Sequence, residues 1–163
     1  RGIETSDDMI KAAQVTLLRG TTVCPGKYMV IVGGETGAVR AALEAGLAKG
    51  GEFIVDSLLI PNVHEQLFPA IAGTQEVVDP QAIGVVEFYS IASAIKAADA
   101  AAKAAQVTLI EVRTGYAVGG KGYFTGDVGA VRAAVAAAEK QSELYIGSTV
   151  IPRPSKQVLE SLL

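Results

Sequence analysis

The chain of 163 residues has one cysteine, one histidine, no tryptophan and 6% aromatic residues. A lone thiol excludes an internal disulfide and fits a reducing, cytosolic setting. Charge is also scarce. Only 19% of residues are charged, 14 basic against 17 acidic, for a net charge of −3. There is no basic run and no basic–aromatic stripe, so nucleic-acid binding has little support. No apolar run approaches the roughly 18 residues a membrane helix needs. The alanine-rich stretch 92–105 is interrupted by Lys96, Asp99 and Lys103 at helical spacing and reads as a packed helix. No secretory leader is visible at the start. The chain begins at Arg1 rather than Met, and an upstream part is expected.

What is present is apolar and repeated. Half of the residues are hydrophobic, more than a small soluble monomer usually hides, so subunit contacts are expected. Lys11-Ala12-Ala13-Gln14-Val15-Thr16-Leu17 recurs letter for letter as Lys103-Ala104-Ala105-Gln106-Val107-Thr108-Leu109, an offset of 92. Gly37-Ala38-Val39-Arg40-Ala41-Ala42 recurs as Gly129-Ala130-Val131-Arg132-Ala133-Ala134 at the same offset, and Ile60-Pro61 is echoed by Ile151-Pro152. The chain is therefore a tandem duplication of one module. The copies differ in one chemical respect: the cysteine stands in Val23-Cys24-Pro25-Gly26-Lys27-Tyr28, where copy two offers Val118-Gly119-Gly120-Lys121-Gly122-Tyr123.

Copy two reads as β-α-β-β-α-β, an α+β, ferredoxin-like order with two helices on one face of an antiparallel sheet. The strand 82–88 is followed by a helix from Ser90 to Ala105, with Ser90 as N-cap. A strand 107–112, a glycine-rich loop 115–122 and a short strand at 123–125 come next. Asp127 caps a helix to about Lys140. A last strand, 144–151, ends at Pro152-Arg153-Pro154, and a tail helix spans 156–163. Copy one repeats the order but starts inside its first helix, so its first strand is absent. A module lacking that strand exposes a sheet edge, which again makes residues before Arg1 expected. Lys27 to Gly37 spans two residues more than Lys121 to Gly129, so the strand after Lys121 reads either as shortened or as lacking residues. The modules are assigned to 1–73 and 82–163, joined by a linker 74–81 containing Asp79-Pro80.

These residues together resemble a known family. The strand 82–87, the helix with Asp99 and Lys103, Gly126-Asp127-Val128-Gly129-Ala130-Val131, and Val150-Ile151-Pro152-Arg153-Pro154 are similar to the bacterial microcompartment (BMC) shell domain. The resemblance covers nearly the whole chain, twice, and implies a tandem-domain shell protein whose trimers mimic hexamers. Thr22-Val23-Cys24-Pro25-Gly26-Lys27 followed by Gly33-Gly34-Glu35-Thr36-Gly37-Ala38 resembles its iron–sulfur-binding members from propanediol-utilisation microcompartments.

Several residues are singled out. Pro25-Gly26 places Cys24 on a turn, whereas an ordinary lone cysteine is a small buried hydrophobe. One thiolate cannot hold an iron–sulfur cluster, but three chains around one axis bring three. The resemblance thus implies Cys24 as ligand of a [4Fe–4S] cluster shared by three chains, serving electron transfer or redox sensing, with encapsulated redox enzymes as partners. It also implies pore-lining roles for Pro25, Gly26, Gly119 and Gly120, and roles at the shell edge for Lys11, Lys103 and Arg153. The partners implied are two further copies and neighbouring shell proteins, in a cytoplasmic microcompartment. The glycine clusters otherwise read as tight turns, since no phosphate-loop pattern is present. A nucleophilic Cys24 needs a base, and the one histidine, His64, follows the last strand of copy one, so no enzyme is expected. The rival reading is a small-molecule-binding regulatory module, because ferredoxin-like repeats also bind ligands between subunits.

Overall fold

The computed structural model describes residues 1–77, 79–115 and 119–162. The chain forms two compact units, 1–61 and 62–163.

The second unit carries the fuller sheet. Its strands are β3 (Ala82–Phe88), β4 (Thr108–Arg113), β5 (Gly120–Gly126) and β6 (Tyr145–Pro152). Helices α4 (Ile91–Ala104) and α5 (Val128–Glu139) intervene, and α6 (Lys156–Leu162) ends the described chain. The sheet order is β4-β5-β3-β6, with every pairing antiparallel, as the β-α-β-β-α-β reading requires. Both caps form as the sequence implies. Ser90 Oγ accepts from the Ser93 amide, and Asp127 Oδ1 accepts from the amides of Gly129 and Ala130. The core gathers Phe88, Phe124, Ile83, Leu109, Ile110 and Val86, all fully buried. The alanines of α4 let the helix sit close to the sheet: Ala94, Ala97, Ala98 and Ala101 have no exposed surface. The strand opposite answers with glycines. A Cβ at Gly120 would lie 2.7 Å from that of Ala94, and one at Gly122 would lie 3.3 Å from Val86.

These glycines correct the reading of the hairpin. Residues 120–122 belong to β5, which is seven residues long and not shortened. The register shows why. In the first unit β1 (Thr16–Val23) pairs with β2 (Lys27–Gly33), with Leu17 opposite Val32, a bulge between Leu17 and Arg19, and Arg19 opposite Ile31. In the second, Leu109 faces Phe124, the bulge lies between Leu109 and Glu111, and Glu111 faces Tyr123. Every position is displaced by 92, bulge included. Lys121 is therefore the equivalent of Met29, not of Lys27, and nothing is missing. Residues 116–118 of the expected loop lie outside the described residues.

The first unit comprises α1 (Gly2–Ala12), β1, β2, α2 (Thr36–Gly50) and a single 3₁₀ turn, Gly51–Phe53. Its sheet has two strands. The last strand expected in copy one does not form: residues 54–60 carry no strand pairing. In the second unit the last strand pairs only with the first, β3, and residues 1–61 contain no counterpart of β3. Without β3 the ladder that would make residues 54–60 a strand is not available within the unit.

The spatial division falls earlier than the expected linker. Residues 62–73, including α3 (Leu67–Ala72), belong to the second unit, where α3 packs on β4. The strap continues beyond the helix, with the Gln75 amide donating to the Ile110 carbonyl at 2.8 Å. It thereby covers the outer edge of β4, which would otherwise be an open sheet edge.

Candidate functional site

The turn Cys24-Pro25-Gly26 closes the β1–β2 hairpin, with Val23 paired to Lys27 at its base. Cys24 is a free, exposed thiol. Gly26 has φ +63 and open space around it, so a side chain there would meet backbone strain and no clash. Nothing else in the hairpin supplies a second metal ligand; the adjacent side chain is the cationic Lys27.

The expected [4Fe–4S] cluster is therefore withdrawn, and with it the metal-ligand role of Cys24 and the electron-transfer or redox-sensing function. Among the described residues no three His, Cys, Asp or Glu side chains converge so as to hold a metal ion. A cluster of this type takes four protein thiolates as a rule, and this chain has one cysteine. The expectation rested on thiols contributed by other chains; among the described residues of this chain no further ligand joins Cys24.

Gly119 and Gly120 are buried. A Cβ on Gly119 would lie 2.0 Å from the Phe88 carbonyl oxygen and 2.6 Å from the Tyr89 carbonyl carbon. Their lack of side chains is accounted for by close packing at the base of the loop.

The two helix lysines occupy equivalent places in unequal surroundings. Lys11, in the last turn of α1, donates to Asp7 at 2.5 Å, and both side chains are exposed. That hydrogen bond, more than the accompanying charge attraction, raises the ammonium's pKa above its ordinary value. Lys103 makes the same i,i+4 contact to Asp99 at 2.5 Å, but there the carboxylate is buried. Asp99 also accepts from the His64 amide at 2.8 Å, so it fastens the strap to α4. Arg153 is exposed, has φ +47, and donates its amide to the Gln81 carbonyl at 2.8 Å.

Of two strap residues, His64 was weighed only as a base and Gln66 escaped the sequence reading. His64 Nδ1 accepts from the Gln66 amide at 3.4 Å, so the ring faces its own turn. Gln66 works as a backbone mimic on the β4 edge. Its Oε1 accepts from the Leu109 amide at 2.8 Å, and its Nε2 reaches the Val107 carbonyl at 3.5 Å. The available signal was the pair Gln66 and Gln157, which stand at matching places after the two Ile-Pro echoes.

A third polar cluster lies further along β4. The Arg113 guanidinium grips both oxygens of Glu111, at 2.8 and 2.5 Å, and the Thr74 hydroxyl donates to the same carboxylate. The Arg113 hydrogen bond outweighs burial and holds the carboxyl of Glu111 below its ordinary pKa of 4.5. The folded value lies below the unfolded one. The stabilisation is therefore present above the ordinary carboxylate range and is lost as pH falls through the depressed value. Glu111→Gln is expected to flatten the acid limb of melting temperature against pH; an unchanged acid limb would contradict this.

Comparison with known proteins settles the family. The BMC domain family matches residues 1–63 and again 82–154. The chain belongs to the BMC-domain family. Both BMC domains are present in tandem, each matched on its own. The bacterial microcompartment shell protein PduT of Citrobacter freundii is 41% identical to this BMC protein, over all of this chain and 91% of the relative. The carboxysome assembly protein CcmO of Synechococcus elongatus is 31% identical, over 98% of this chain and 63% of its own length. Among solved structures, a microcompartments protein from Desulfitobacterium hafniense superposes with a TM-score of 0.87 at 41% identity, covering 98% of this chain and 91% of the other. No helix among the described residues is long and apolar enough to cross a membrane.

Proposed function

We propose that this BMC protein is a structural component of a bacterial microcompartment shell, housed in the cytoplasm, and not an enzyme. The observation that carries the reading is the double BMC match within a chain that aligns over its whole length with a relative named as a shell protein. Each chain supplies two pseudo-equivalent modules, so three chains close a flat, pseudo-hexagonal disc. Such discs tile a facet beside neighbouring shell proteins. Lys11, Lys103 and Arg153 face the disc edge. The hairpin turn Cys24-Pro25-Gly26 and the loop based on Gly119 and Gly120 border the central opening. Encapsulated redox enzymes were implied only through the cluster and are dropped with it.

The test separates disc from array. Lys11→Ala and Arg153→Ala are expected to leave a trimer in light scattering but to abolish extended sheets in electron micrographs. A single-chain mass for the unaltered protein at micromolar concentration would overturn the reading; loss of the trimer in the variants would overturn the edge assignment. Lys103→Ala is a poorer probe, because it also strips the partner from buried Asp99.

A further inference from the structure

We draw no further inference here: the strongest candidate, the polar cleft of the second unit between the strap and the start of α5, lined by His64, Asp79, Gln106 and Asp127, carries nothing, because its two carboxylates are exposed and, among the described residues, no buried unpartnered group points to a ligand for them.

Discussion

Asp99→Ala is expected to cost about 3 kcal/mol of folding stability in the second unit, while Asp7→Ala leaves the isolated chain unchanged. The two aspartates occupy the same repeat position, one turn before the matching lysine. Their surroundings decide. The Asp99 side chain is 8% exposed and accepts from both Lys103 and the His64 amide. Its removal orphans a partly buried amide and an ammonium, and frees the strap from α4. Lys103 is 39% exposed and can turn to water, which sets the cost near the lower end of the range for broken buried pairs. The Asp7 side chain is 58% exposed, and its pair with Lys11 is screened by solvent. Denaturant titration of dilute protein, read on the second unit, measures the difference; equal midpoints for the two variants would refute it.

Gly119→Ala is expected to destabilise the second unit by about 3 kcal/mol or more. The added methyl group would lie 2.0 Å from the Phe88 carbonyl oxygen, with the Tyr89 backbone at 2.6 Å. Backbone cannot rotate aside as a flexible side chain does. Phe88 is moreover held on both sides, opposite Gly120 on β5 and Tyr145 on β6. Relief requires prising the end of β3 away from the core that fully buried Phe88 anchors. Gly147→Ala is the control, since its added methyl group would meet no atom within 4 Å. A thermal melt in which the two variants behave alike would show that the tight turn at Gly119 yields easily. Were that so, its glycine would need another explanation, and bordering an opening would be the first to consider.

Much of the fold was legible because it is written locally. Ser90 and Asp127 announce helix starts, since their side chains can satisfy amides two or three residues on. The alanines and lysines of 92–105 mark a helix with one small-residue face. The duplication then doubles each signal. The hairpin was misjudged for an instructive reason. Matching Lys27 to Lys121 by letter implied a deletion, whereas the hydrogen-bond register pairs Lys121 with Met29 at the constant offset. The glycines of β5 looked like loop residues because strands seldom carry several. They are strand residues here because the alanines of α4 approach so closely that a side chain would collide. The cluster was inferred from a resemblance centred on Cys24, and a single exposed thiol carries no such chemistry by itself.

The sequence by itself determined the module, its duplication, the helix boundaries and the turn that bears Cys24, since periodicity, caps and turn residues act between near neighbours along the chain. Only the tertiary structure decided what each repeated residue does. Leu17 and Leu109 end the same seven-residue run, and Asp7 and Asp99 each stand four residues before the lysine that opens it, yet one of each pair faces solvent while the other is buried. The difference at β4 is the strap 62–75, which closes over its edge and buries Leu109. Burial, and with it the strength of every hydrogen bond and ion pair, depends on what distant segment removes the water, and that is a property of the fold.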